Sequence, residues 1–310
     1  MERVTELDSL PVRPVDGHKG TFGTVAVVAG CAGRTRMIGA AVLVATAATR
    51  AGAGLVRVVA AEPICNAILT GAPHAMALAV PVGTDGDMVT QAGIQALDEV
   101  LAACRTLVIG PGLGRGGVVA RLALRAVGQE EVPIVVDADA LNALAGTVDF
   151  AREIRGRVIL TPHPGEFRRL AGAVGVKPDP VSPGERVEAA GDLARRLGCI
   201  VVLKGAGTVV SDGHRVWVCQ RGHPCMGVGG TGDVLAGVIG GLVAQFGPSA
   251  FMPGGASGLD LFMLACLGVE AHAIAGEAWA KQTGASAGLL AGELCDLIPA
   301  AVESLRSPSG

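Results

Sequence analysis

The stretch Gly222–Gln245, GHPCMGVGGTGDVLAGVIGGLVAQ, decides how this chain is read. Its first half is rich in glycine, and its second half is an apolar run of helical length. At the seam stand Gly229, Gly230, Thr231, Gly232 and Asp233. Glycines admit positive φ and let an anion come close to main-chain N–H groups. The first N–H groups of a helix have no internal partner and carry the positive end of its dipole, so the seam reads as a phosphate site. Asp233 is the only acid between Asp212 and Asp260. In such a pocket it can stay ionised and take a proton from a substrate hydroxyl. The competing reading makes Thr231 and Asp233 mere capping residues of a buried helix. Three glycines within the four residues before Asp233 favour the phosphate site.

The 310 residues allow one large α/β domain or two small ones. Half of them are hydrophobic, yet aromatics make up 3% and glycines number 47, so small aliphatic side chains must build a close-packed core. A net charge of −3 and the lack of a basic run argue against nucleic acid as a partner. Residues 1–17 are polar, contain two prolines and read as an N-terminal extension rather than a signal peptide. Two uncharged runs, 63–84 and 234–259, are broken by proline or glycine and fall short of the ~20 residues that cross a bilayer. A soluble protein is expected, with no membrane partner. Eight scattered cysteines without a C-x-x-C pair are expected to be buried thiols in a reducing cytoplasm, not disulfides or zinc ligands. Cys225, in the glycine-rich loop, is expected to be the more accessible one.

Around that stretch the chain alternates strand and helix. Residues 24–29 (TVAVVA) read as a buried strand, 39–51 as an alanine-rich helix stopped by Gly52, and 55–60 as the next strand, which together make a βαβ unit of a parallel sheet. Residues 61–86 read as irregular, with one apolar run at 75–80, followed by a helix over 89–103 and a strand over 106–110. That strand enters Gly112–Gly117, which satisfies G-x-G-x-x-G literally. The motif lies mid-chain behind Pro111, so a glycine turn contributing to the same cleft is the better reading than a dinucleotide fingerprint. PIVVDADALNAL (133–144) places Asp137, Asp139 and Asn142 at a strand's carboxyl end, to bond substrate or to cap the next helix. RVILTPHPGEFRRLAG (157–172) holds His163 between two prolines and opens a helix with Glu166. That carboxylate either answers the helix dipole or organises Mg²⁺ waters beside a nucleotide. A Pro/Gly loop over 173–184 and a helix over 185–198 precede 200–220, which read as strand, tight turn, strand, Asp212-Gly213 hairpin and strand. Lys204 falls at a strand end beside Gly205 and Gly207, where its cation would meet phosphate; the alternative is a solvated lysine. The segment 248–258 reads as a flexible insertion, and helices over 259–281 and 289–305 close the chain. With no repeat or linker, residues 1–310 read as a single domain.

The combination and order of HKGTFG (18–23), GPGLG (110–114), TPHPGEF (161–167), LKGAGT (203–208) and GGTGD (229–233) is specific. On these motifs the chain resembles the ADP/ATP-dependent NAD(P)H-hydrate dehydratases of the ribokinase-like superfamily, from His18 to about Pro299. The resemblance implies a three-layer α/β/α sandwich around a mostly parallel sheet. It also implies phosphorylation of the C6 hydroxyl of hydrated NADH or NADPH, (6S)-NAD(P)HX, by ADP or ATP with Mg²⁺, and loss of that phosphate to restore the reduced cofactor. By position, Asp233 is the implied base. The residues Lys204, Gly205, Ala206, Gly207, Thr208, Gly230, Thr231 and Gly232 are the implied nucleotide contacts. Ala40, Gly112, Gly114, Asp137 and His163 join Asp233 toward the hydrated cofactor, and Glu166 orders Mg²⁺ through water. A homo-oligomer, possibly a tetramer, is expected, working beside a separate NAD(P)H-hydrate epimerase, for which residues 1–310 hold no domain. Where a Gly-Asn-Pro-Gly-Met-Ala-Thr-like approach to GTGD is expected, this chain has departures at His223, Cys225 and Val228, which bear on nucleotide preference. Residues 34–37 and 248–258 also depart. The rival readings are a ribokinase-like kinase for a vitamin precursor or sugar, a catalytically silent nucleotide-binding protein, and a Rossmann dehydrogenase.

Overall fold

The computed structural model describes residues 1–247 and 258–306; residues 248–257, most of the expected insertion, lie outside the described residues. The chain runs β1 (Glu2–Arg3), β2 (Thr24–Val28), α1 (Ile38–Arg50), β3 (Leu55–Ala61), α2 (Glu62–Gly71), β4 (Met76–Val80) and α3 (Thr90–Leu101). It continues through β5 (Thr106–Ile109), α4 (Gly117–Val127), β6 (Ile134–Val136), α5 (Ala138–Ala145), β7 (Val158–Leu160) and α6 (Pro164–Val174). Then come α7 (Arg186–Leu197), β8 (Ile200–Leu203), β9 (Val209–Ser211), β10 (Arg215–Val218), α8 (Thr231–Phe246), α9 (Leu261–Thr283) and α10 (Ala291–Glu303).

Among the described residues, ten strands join one sheet in the order β1-β10-β9-β8-β7-β6-β5-β2-β3-β4. Only β9 runs antiparallel to its neighbours. The sequence fits a mostly parallel sheet: β8 is wholly apolar and β5 is apolar after Thr106, and both are buried at every residue, as strands covered on both faces must be. Helices α3 to α6 pack against one another as one layer, while α1, α8, α9 and α10 pack together as the other. The order reverses between β2 and β5, since the chain leaves β2 outward through β3 and β4 and returns to its other side. Such a reversal opens a crevice at the carboxyl ends of the strands.

The glycines of GVIGGLV act through close approach. A Cβ on Gly237 would lie 2.5 Å from Val44 O, and one on Gly241 would lie 2.7 Å from Ala48 O. Small residues on both α8 and α1 therefore let the two backbones approach, and α8 is buried along nearly its whole length. α9 is long and apolar enough to cross a membrane by length and composition, yet 78% of its apolar window is buried inside the protein, where it packs on α8 and α10.

Two expectations need correction, on residues 61–86 and on the cap of α8. Residues 61–86 are not irregular: α2 begins at Glu62, and Pro63 sits in its first turn, where no N–H is required. The N-cap of α8 is Gly230 at φ 95°, not Thr231 or Asp233. Residues 1–17 are tied down in part, with Glu2 and Arg3 pairing along β10 and Leu10 fully buried.

Candidate active site

The site forms where α8 begins against the carboxyl ends of β6, β7 and β8. At Gly230 a Cβ would meet Leu43 Cδ1 at 2.7 Å and Ala291 Cβ at 2.9 Å, so both its positive φ and its surroundings require glycine. The Thr231 hydroxyl lies 3.0 Å from both Met226 O and Val228 O, its one proton shared between them, and so ties the helix start to the incoming loop. Buried His272 on α9 donates from Nε2 to Thr231 O at 2.8 Å. Burial holds its pKa down at about 4, so the ring is neutral. Asp233 follows in the first turn, half-buried and without a hydrogen bond or ion pair among the described residues. Burial is the main cause that pushes its pKa to about 7; Asp137 adds to the rise, and Lys204 opposes it.

Lys204 is not the solvated lysine of the alternative reading. Its Nζ pairs with Asp137 Oδ1 at 2.6 Å, with the lysine side chain 17% and the aspartate 1% exposed. Burial acts to lower the Lys204 pKa, but Asp137 and Glu166 outweigh it and the net shift is upward. The ammonium thus stays charged between α8 and the strand ends. Asp137 sits at the N-cap position of α5 without capping it, and the next residue, Ala138, adopts φ 51°. A left-handed alanine is strained, and the strain sits beside the buried carboxylate. Asp139 accepts the Gly114 N–H at 2.8 Å, and Asn142 accepts from Arg169 at 2.8 Å.

His163 and Glu166 form a reciprocal cap on α6. His163 Nδ1 accepts the Gly165 N–H at 2.9 Å, while the His163 N–H donates to Glu166 Oε2 at 2.9 Å. His163 Nε2 lies 3.3 Å from Glu166 Oε1. Burial raises the Glu166 pKa to about 6. The dipole-and-cap reading of Glu166 therefore holds structurally, and its carboxylate also shares the electrostatic environment of Asp137, Lys204 and Asp233.

A cavity of about 640 Å³ opens beside Lys204–Thr208, Thr231 and Gly232. Val218, Pro224, Met226, Leu235, Val269 and Ala273 give it apolar walls. The expected nucleotide contacts Lys204, Gly205, Ala206, Gly207, Thr208, Thr231 and Gly232 all line it. Gly230 and Asp233 do not line it; Asp233 instead feels Asp137, Asp139 and Glu166. Of the expected hydrated-cofactor contacts, Ala40, Gly112 and Gly114 lie by the chain reversal, while Asp137 and His163 follow β6 and β7. Gly112, at φ 63°, has room for no side chain, because a Cβ would stand 2.9 Å from the Cβ atoms of Ala40 and Met37. Gly114 is linked through Asp139 to the same acidic side.

Of the three departing residues, only His223 lines the cavity; its Nδ1 also accepts the Cys225 N–H at 3.3 Å. Cys225, expected to be accessible, is 3% exposed because it turns onto α9, with Sγ 3.5 Å from Gly276 O. Val228 is exposed. The eight cysteines are free thiols, and Cys31 alone escapes full burial. Two residues were missed by sequence reasoning. His272 carries a signal that could have found it, a polar residue inside an apolar helix. Arg186 carries none, since its partners are carbonyls far along the chain.

A family model described as NAD(P)H-hydrate dehydratase matches residues 25–300. The ADP-dependent (S)-NAD(P)H-hydrate dehydratase of Neisseria meningitidis is 36% identical over 287 residues, covering 91% of this chain and 86% of that one. The bifunctional NAD(P)H-hydrate repair enzyme of Moorella thermoacetica is 37% identical over 96% of this chain, which spans 52% of that relative. The chain thus covers about half the length of the bifunctional relatives it matches. Among solved structures, the Bacillus subtilis ADP/ATP-dependent NAD(P)H-hydrate dehydratase co-crystallized with ATP/Mg²⁺ is similar with a TM-score of 0.75 and 29% identity. That likeness covers 96% of this chain and 95% of the other, and the fold is ribokinase-like.

Proposed function

The chain belongs to the NAD(P)H-hydrate dehydratase family, and from that premise we propose that it restores NADH or NADPH from (6S)-NAD(P)HX with ADP or ATP as phosphoryl donor. Asp233 takes the proton of the C6 hydroxyl as its oxygen attacks the terminal phosphorus, and AMP or ADP leaves. The C6–O bond then breaks with its electron pair going to phosphate, a ring proton is lost and the ring double bond returns. Turning hydroxide, a poor leaving group, into phosphate is the physical reason for using a nucleotide.

The observation that carries this reading is the position of Asp233. Among the described residues its carboxylate has no hydrogen-bond or ion-pair partner, and it stands one residue from the cavity-lining Gly232, within the field of Asp137. A base with a pKa near the working pH transfers protons efficiently. The N–H groups of Gly230 to Gly232 and the Lys204 ammonium are assigned to the charge that develops on the transferred phosphoryl group. Ala40, Gly112, Gly114, Asp137 and His163 are assigned to the hydrated cofactor.

Mg²⁺ belongs to this proposal. Asp137, Glu166 and Asp233 are hard oxygen donors, yet among the described residues no three His, Cys, Asp or Glu side chains converge on a metal. That donor set suits an ion that keeps its waters and rides on nucleotide phosphates. Glu166 would face those waters, and the bound ion would neutralise phosphate charge. Free thiols fit a reducing cytoplasm, and half-exposed Met76 on edge strand β4 fits burial in a homo-oligomer. The extra length of the bifunctional relatives fits a partner epimerase.

The test is recovery of reduced-nicotinamide absorbance from hydrated NADH by purified protein with Mg²⁺ and either ADP or ATP. Recovery with one or both supports the proposal. No turnover with either removes it, and a phosphorylated product without NADH favours a plain kinase.

A further inference from the structure

The loop Lys204–Thr208 lines the cavity but belongs to no regular element, so something must hold its shape. One guanidinium does so. Arg186, the first residue of α7, donates from Nη2 to Leu203 O at 2.8 Å and Lys204 O at 2.7 Å. Its Nε reaches Gly207 O at 3.2 Å, and its Nη1 reaches Pro180 O at 2.6 Å. A guanidinium is a rigid planar fork of five N–H donors, and here that fork is spent on four carbonyls. Arg186 has no carboxylate partner among the described residues, although it is half-buried.

The second observation concerns the amides. A trans peptide points its C=O and N–H in opposite directions. Drawing the Lys204 carbonyl onto Arg186 therefore sends the Gly205 N–H the other way. Among the described residues the N–H groups of Gly205, Ala206 and Gly207 have no hydrogen-bond partner, and all three residues line the cavity. Gly205 makes the arrangement possible: it holds φ 138°, and a Cβ there would stand 2.9 Å from Arg186 Nη2.

We infer that Arg186 is a positioning residue for the nucleotide: it gathers the carbonyls of the Lys204–Gly207 segment on one side and leaves the segment's amides free as donors to an anionic ligand on the other. The inference rests on the nucleotide reading of the cavity. Its positive charge adds to the attraction for phosphate, but the fork sets the loop's shape, and that separates Arg186 from an ordinary surface cation.

The experiment is calorimetric titration of ADP and ATP into the wild-type protein, R186A and R186K, together with KM for both substrates in the absorbance assay. Loss of two charge-assisted hydrogen bonds to the loop is expected to weaken nucleotide binding by about tenfold or more, or about 1.4 kcal/mol. KM for the hydrated cofactor stays within about twofold, a split that general destabilisation would not produce. R186K keeps the charge but not the fork and should lose nearly as much as R186A. Millimolar guanidinium should restore part of the affinity of R186A. Wild-type affinity in R186K would overturn the positioning role in favour of charge alone. Should R186A fail to fold, R186K decides. A wild-type protein that binds neither nucleotide sinks the nucleotide reading itself; normal binding by wild type and R186A alike sinks only this inference.

Discussion

On the cavity side of Lys204 and Gly232, Val218, Leu235, Val269 and Ala273 give aliphatic walls, and the polar groups are donors without a carboxylate among them: Arg221, His223 and, among the described residues, the unpaired N–H groups of Gly205 to Gly207. On the other side stand Asp233, Asp137, Asp139 and Glu166, four carboxylates whose charges reach one another. The two sides share the same strand ends but have opposite chemistry. The first is a donor-rich place for a polyanion beside an apolar slab. The second repels anions and makes one carboxylate reluctant to ionise, hence ready to accept a proton. Lys204 belongs to both, paired with Asp137 while lining the cavity. The proposed phosphoryl transfer would use this asymmetry, with the donor held on one side and the hydroxyl deprotonated on the other.

Breaking the acidic side alone should give the largest effect. D233N is expected to lower kcat by about 10³-fold, within the usual range for a lost general base. ADP affinity by titration should stay within about threefold, because Asp233 does not line the cavity. Equal loss of both would mean that the sides are not separable.

Breaking the residue common to both sides comes next. K204A leaves Asp137 charged and buried, which should cost about 3 kcal/mol of stability and weaken ADP binding by about 100-fold. Adding D137N should return most of the stability in denaturant unfolding without returning ADP affinity. Recovery of both would show that Lys204 acts only as a structural partner.

G230A sharpens the geometry of the divide. A residue at φ 95°, with a Cβ pressed on Leu43 and Ala291, should cost about 1–3 kcal/mol and shift the first turn of α8. A fall in kcat of about tenfold should accompany the lower Tm. An unchanged kcat would remove the first turn of α8 from the chemistry.

The smallest effect concerns stability against pH. Asp233 has a folded pKa raised from 3.8 to about 7, mainly by burial. Between those values the folded protein binds more protons than the unfolded chain, so the group's contribution to stability is lost as pH rises through 7. D233N removes that loss. Its Tm should exceed the wild-type Tm by roughly 2–6 °C at pH 8, with the gap shrinking toward pH 5. A gap that widens at low pH would contradict the assigned shift.

The legible parts of the fold were those where local pattern and tertiary role agree. Largely apolar runs such as 106–110 and 200–203 could be read as strands of a buried parallel sheet, and the glycine-rich seam before Asp233 marked a helix start, where Gly230 takes the positive φ and the close contacts. The reading of 61–86 as irregular missed α2, where Pro63 stands in the first turn and the buried spacing of Ile64, Cys65 and Ile68 was the better signal. Cys225 misled because a glycine-rich loop looks open until α9, some 50 residues later, closes over it. Arg186 was unreadable for a deeper reason. It bonds carbonyls, which every residue has, so its four partners leave no trace in side-chain type. The lysine–aspartate pair was half legible: both residues stood out at strand ends, but their pairing depends on β6 and β8 flanking β7.

The most direct test of the proton-accepting role is the pH profile of kcat/KM on hydrated NADH, measured for the wild-type protein and for E166Q. Burial places Asp233 at about 7 and Glu166 at about 6. With Asp233 as the proton acceptor, the rate falls about tenfold per pH unit below 7, levels above it, and keeps that single ionisation in E166Q. A flat profile from pH 5.5 to 8.5, or an ionisation that vanishes in E166Q, would contradict it.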